Sequence, residues 1–268
     1  MTAPFFNYAL ESRLAFVAVF FIVLLAFLEF GLRIGRGRRA RNGEKADEGA
    51  TLVVGSILGL LAFVLALNLS NASSRFDRRI NATLEEVNAI GTALMQASAI
   101  AEGGPDGIAA KLKTYLEIRH AYAGASREPG ELARIAAETQ KLQGEIWAQL
   151  SSLVAERPAP DVVSLMNAIN AAFDSSTAMQ LAMEYRMPEQ VIWLLLVMSG
   201  LGIAAVGYQF GLTGRRGRGP GIVLSVLWCV IVTEIMDIGS ARIWTFRTDT
   251  RIYEWALDGL ENPAAAED

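Results

Sequence analysis

The sequence predicts an all-α membrane protein, with four transmembrane helices and a helical bundle inserted between the second and third spans. Apolar runs of near-spanning length lie at about 14–34, 52–72, 191–212 and 222–236, the last being the shortest. A membrane-crossing helix needs about 17–25 mostly apolar residues. Hydrophobic residues make up 52% of the 268, and the runs are continuous, not alternating, which argues against a transmembrane β-barrel. The long segment between the second and third runs is mildly acidic and holds no spanning run. Its apolar residues step by three and four, as in a helix packed on one face.

Charge and cysteine content narrow the function classes. The net charge of −4 and a pI near 5.3 come without any basic field, so no nucleic-acid partner is expected. The single Cys229, inside the fourth run, excludes an internal disulfide and a cysteine-based metal site. One histidine, His120, with no His/Cys cluster, phosphate-cradling loop or nucleophile elbow argues against an enzyme, and no cofactor or metal is implied. The carboxylate pairs Glu85–Glu86 and Glu234/Asp237 lack a partner for general acid–base work.

Taken in order, the chain opens with Thr2–Tyr8, short, aromatic and nearly uncharged, suited to a membrane interface. Only Arg13 precedes the first span, and Arg33, Arg36, Arg38, Arg39 and Arg41 follow it. A cleavable signal peptide has its basic residues in front, so an uncleaved span is expected. Glu29, near the far end of that span, is expected to reach the headgroups or pair with Arg33. These two spans and their basic link form residues 1–72.

The stretch from Thr51 to about Ile100 is read as one helix, apolar to Leu67 and then polar with no proline. At 1.5 Å per residue it is roughly 70 Å long, against a hydrocarbon core of about 30 Å. It enters the extramembrane domain, residues 73–189, and stops at Glu102-Gly103-Gly104-Pro105. A second helix covers about 107–123, with Ile108, Leu112, Tyr115, Leu116 and Arg119 on one face. A third starts after Ser126 with Pro129 in its first turn. Its stripe of Leu132, Ile135, Leu142, Ile146, Leu150 and Leu153 forms core. Pro158 and Pro160 end it, and a fourth runs over 161–185. Pro188 opens the third span. Residues 190–238 hold the last two spans and 239–268 a tail with a short segment at Arg251–Leu260.

The two short links carry Arg33, Arg36, Arg38, Arg39, Arg41 and Lys45, and Arg215, Arg216 and Arg218. The positive-inside rule places both in the cytoplasm, leaving the helical domain and both termini on the other side of the membrane. Arg75, Arg78, Arg79, Arg186, Arg242 and Arg247 weigh the other way, in smaller number.

Three motifs stand out. Gly55-x-x-x-Gly59 in the second span and Gly207-x-x-x-Gly211 in the third allow close approach of helix backbones, read first as packing within one subunit. Glu234 and Asp237 lie one turn apart at the end of the fourth span and are read as a structural clamp. Their expected partners are Arg242, Arg247 or the arginines after span two. Asn68, Asn71, Arg75 and Arg78 share one face of the second helix. Polar groups at membrane depth face protein or water, so this face either lines an anion conduit or anchors the helix among lipid headgroups.

Gly55, Gly59 and Leu60–Phe63, followed by Arg75-Phe76-Asp77-Arg78-Arg79 and then Glu86 to Ala93, carry a resemblance. It continues through Leu165–Asn170, Phe173-Asp174, Met187-Pro188, Ile192-Trp193 and Asp237. The pattern resembles the bacterial bestrophin-like membrane proteins, a family of uncharacterised function, over most of Thr51 to Arg247. The chain departs from it at Asp237-Ile238-Gly239-Ser240-Ala241, where the family has a proline-containing turn. It departs again at Asn68-Leu69-Ser70-Asn71, where the family is more apolar. Bestrophins proper share the layout and form pentameric anion channels lined by the second helix. The resemblance therefore implies a homo-oligomer passing a small inorganic anion. Bestrophins keep their large domain in the cytoplasm, against the charge reading here, and sidedness stays open between the two. The alternative function is a non-conducting scaffold or sensor whose helical domain binds a partner.

Overall fold

The computed structural model describes residues 12–42, 48–100, 107–126, 128–185, 187–214, 217–242, 244 and 249–261. Thr2–Tyr8, Gly43–Asp47, the Glu102–Pro105 break, Arg186, Arg215–Arg216, Arg247 and the Pro263 end lie outside the described residues.

The described residues form eight helices, α1 (Arg13–Asn42), α2 (Glu48–Ile100), α3 (Ile108–Gly124), α4 (Pro129–Glu156), α5 (Pro160–Glu184), α6 (Glu189–Thr213), α7 (Arg218–Ile238) and α8 (Arg251–Glu261). Four stretches are long and apolar enough to cross a membrane, within Arg13–Arg41, Thr51–Ile100, Pro160–Thr213 and Arg218–Ile238. The chain divides into two compact units, Met1–Ser74 with Arg186–Phe246, and Arg75–Tyr185 with Arg247–Asp268. Helix α2 contributes to both. No glycine or proline falls between Leu60 and Ile90, so nothing in that stretch breaks the helix where its composition turns polar.

In the first unit, α1 buries Phe16, Phe20, Leu24, Leu28 and Leu32, one residue per turn. Against this stripe pack Leu61 and Leu65 of α2, Leu195 and Ile203 of α6, and Trp228, Val232 and Ile235 of α7. Contact is closest between α1 and α6. A Cβ on Gly211 would sit 2.6 Å from the Leu32 carbonyl oxygen, and one on Gly207 would strike the Leu28 carbonyl. Gly31 and Gly35 of α1 meet the backbone of Ala204 and Tyr208 in the same way. Four backbone approaches of this kind make a small-residue interface, the packing that holds helices together in lipid. Gly55 and Gly59, expected to pack likewise, have open space around them and are exposed within the chain.

At one end of this unit Glu29 accepts hydrogen bonds from Arg218 at 3.1 and 3.3 Å and lies 3.5 Å from Arg33. Gln209 of α6 donates to the Thr51 hydroxyl of α2 at 2.8 Å. Gly214, with φ +68°, ends α6 in the left-handed conformation that glycine adopts without penalty.

In the second unit, Val87, Ile90, Leu94 and Ala97 of α2 are buried. Ile108, Leu112, Tyr115, Leu116 and Arg119 are all buried on α3. On α4, Ile135, Leu142, Ile146 and Leu150 are buried, while Leu132 and Leu153 at the stripe's ends are half-buried. Pro129 and Pro160 open α4 and α5, where a missing N–H costs nothing. The Glu131 carboxylate in the first turn of α4 accepts the backbone N–H of Ser126 at 3.1 Å, closing the turn before the helix. Tyr253 of α8 is fully buried in this unit.

Candidate functional site

The nominated polar residues of α2 divide between the two units. In the first, the half-buried Asn68 turns back on its own helix, its Nδ2 donating to the Val64 carbonyl at 2.8 Å. Asn71 is exposed. In the second, Arg75 and Arg78 stand together on the wall of a cavity of about 320 Å³. The other lining residues are Ala178, Leu181 and Ala182 of α5 and the following Tyr185, with no carboxylate among them. The Arg75 guanidinium lies over the Tyr185 ring, 4.8 Å from its centroid. Arg78 is exposed and makes no ion pair among the described residues.

The second nominated cluster is the carboxylate pair of α7. Arg13, at the start of α1, bonds Glu234 and lies 3.2 Å from Asp237, whose side chain is fully buried. One cation thus bridges two carboxylates a turn apart and ties α1 to α7. The sequence offers Arg242, Arg247 or the arginines after span two for this role. Arg247 lies outside the described residues. Arg13 is more than two hundred residues away, and only the fold brings it here.

A third cluster centres on Glu86 of α2. Glu86 of α2 is completely buried and accepts a hydrogen bond from Arg119 Nε at 2.5 Å and another from the Tyr253 hydroxyl. The same guanidinium donates to the Ser176 carbonyl at 3.3 Å and lies 4.5 Å from the Tyr122 ring centroid. Tyr115 donates to the Ser176 hydroxyl at 2.7 Å and accepts from Gln143 at 2.9 Å. The network joins α2, α3, α4, α5 and α8. Burial pushes Tyr253 far above the ordinary tyrosine range, and the neighbouring Glu86 charge adds to it. Tyr115 is raised chiefly by burial. Burial works against the charge on Arg119, but the Glu86 carboxylate outweighs it and leaves the pKa raised. Donors meet acceptors along the network, an arrangement that fixes the geometry of the helices it joins.

His120, dismissed as a site from the sequence, stacks on Tyr253 at 5.7 Å between centroids, with Nε2 3.7 Å from Glu254. The signal for this cluster was present but weak. Arg119 fell on the apolar face of α3, which is anomalous for an arginine unless it has a buried partner. Tyr253 sits in a short amphipathic stretch whose docking surface the sequence does not identify. Among the described residues no group of three or more His, Cys, Asp or Glu side chains is arranged to hold a metal.

Compared with family models, curated proteins and solved structures, the chain matches none.

Proposed function

We propose that this chain is a bestrophin-like, multi-pass protein of a bacterial inner membrane, assembling as a homo-oligomer that passes small inorganic anions, with α2 as the wall of the pathway. The observation that supports it is the bareness of α2. Only 17% of its most apolar window is buried within the chain, against 28%, 39% and 50% for the other three candidate spans. That bare surface includes Gly55 and Gly59, and beyond Leu67, where the composition turns polar, it includes Asn71 and Arg78. Polar groups at membrane depth face protein or water. Copies of α2 gathered around an axis would cover the glycines and turn the polar face to shared water. The amide donors and guanidiniums would then replace part of an anion's hydration shell and raise its local concentration.

In this reading the helical bundle is inserted between spans two and three, no bond is made or broken, and no cofactor is used. The charge rule favours a bundle outside the cytoplasm, with the short basic links inside. Labelling a Ser126→Cys variant with an impermeant thiol reagent on intact cells tests this. Modification only after lysis reverses the orientation.

The channel is tested with purified protein in planar bilayers and by electron microscopy of single particles. Expected are rings with α2 at the centre and an anion current that falls in Asn71→Leu and reverses its selectivity in Arg78→Glu. Monomers or side-by-side dimers without current would sink the reading. The second reading, a non-conducting scaffold or sensor, draws support from the Arg75–Arg78 cavity, which is walled by α5 of the same chain and so needs no second copy to form.

A further inference from the structure

We propose that the groove between α2 and α5, walled by Arg75, Arg78 and Tyr185 and floored by Ala178, Leu181 and Ala182, binds an acidic phospholipid by its phosphate and the adjoining apolar chain. The lining divides by chemistry. Two guanidiniums stand on the α2 side, no carboxylate is present, and the α5 side offers only alkyl groups and one phenol ring. A guanidinium presents a planar fork of donors that matches phosphate oxygens two at a time. Arg75 is steadied over the Tyr185 ring, which fixes the direction of its fork. Arg78 brings a charge that no carboxylate of the described chain balances, and a bound anion supplies the balance.

The apolar half of the groove selects among anions. Leu181 is 65% exposed and Tyr185 59% exposed, beside two alanines. A bare phosphate gains nothing from that floor, whereas an acyl chain covers it. The place in the sequence agrees. Arg75 follows the second apolar run by three residues, and Tyr185 precedes the third by six. Basic and aromatic side chains at such positions lie at headgroup depth. The volume of about 320 Å³ suits a headgroup phosphate with the start of a chain. A phosphate seated there also offsets the charge of Arg78, which the channel reading places on its pathway, yet binding itself requires neither a channel nor an oligomer.

The test uses the full chain in detergent, washed free of lipid and then incubated with mixed micelles of phosphatidylglycerol or phosphatidylcholine. Retained lipid is counted by native mass spectrometry. Phosphatidylglycerol is expected to be held at least tenfold more tightly than phosphatidylcholine, and excess inorganic phosphate is expected not to displace it. Retention should fall tenfold or more in Arg78→Gln and in Leu181→Glu, and recover in part in Arg78→Lys. Arg78 and Leu181 are exposed, so these variants keep the fold, and a size-exclusion profile checks it. Equal retention of the two lipids, unchanged retention in both variants, or displacement by inorganic phosphate alone would overturn the proposal, the last marking a free-ion site instead. The readout involves no ion flux, so its failure and the failure of the channel reading are separable.

Discussion

Glu86 of α2 and Arg119 of α3 meet at 2.5 Å with side chains 0% and 3% exposed, so a full ion pair is sealed inside the helical unit. Removing one partner leaves the other charge buried and uncompensated, at a cost of about 3–5 kcal/mol, whereas replacing both with apolar groups of similar volume is often far milder. Glu86→Leu and Arg119→Met are each expected to lower the unfolding midpoint of the detergent-solubilised protein sharply. The double variant should be more stable than either single one. Additive losses in that cycle would show that the two side chains act independently.

Tyr253 joins the same carboxylate, and its raised pKa makes a prediction in alkali. In the unfolded chain a tyrosine loses its proton near pH 10. In the folded protein Tyr253 keeps it well above that. The unfolded state therefore binds fewer protons once the pH passes about 10, and stability falls as pH rises further. Tyr253→Phe removes this term. At neutral pH the variant is expected to be less stable by about 1.5–3 kcal/mol, the usual worth of a hydrogen bond to a charged group. Above pH 10 its stability should decline less steeply than that of the parent. Chemical denaturation at stepped pH measures both, and parallel slopes would count against a buried, protonated Tyr253.

Arg13 spans two carboxylates of α7, one of them fully buried. Truncating it to Leu removes the cation that bridges Glu234 and Asp237, and the unfolding midpoint is expected to fall. Adding Asp237→Asn removes one of the two charges and should return part of the loss. Cys229 gives the readout. It is the single cysteine of the chain and lies buried in α7, so a thiol-reactive dye reports unfolding as fluorescence. An Arg13→Leu protein that unfolds at the parental temperature would show that the bridge carries no stability.

The helical composition and the four spans were legible because each rests on a local pattern. Spanning runs are counted along the chain, α4 and α5 begin at prolines, and the buried face of α3 repeats every three to four residues. Partnership between distant residues was not legible. Arg13 and Glu234 lie 221 positions apart, and Glu86 and Tyr253 lie 167 apart, so no spacing rule links them. The glycine motifs show the same limit from the other side. Gly55-x-x-x-Gly59 and Gly207-x-x-x-Gly211 read identically in sequence, yet only the second meets another helix of its own chain.

That difference separates folding from assembly. A Cβ on Gly211 would sit 2.6 Å from the Leu32 carbonyl oxygen and 2.8 Å from the Gly35 Cα, both backbone atoms that cannot step aside. Gly211→Ala must therefore push α1 and α6 apart, and overpacking of this kind costs about 1–3 kcal/mol. Gly59 has no neighbour within 4 Å, so Gly59→Ala introduces no clash inside one chain, and in a helix alanine is the better residue by about 1 kcal/mol. If α2 packs against α2 of other copies, Gly59→Val should leave the monomer folded but shift the assembly toward smaller species. Gly211→Ala should lower the melting temperature whatever the assembly state. Light scattering coupled to size exclusion reads the first, and the Cys229 dye assay reads the second. A Gly59→Val protein of unchanged mass would remove the glycine face from any subunit interface and leave Asn71 and Arg78 to carry the oligomer alone.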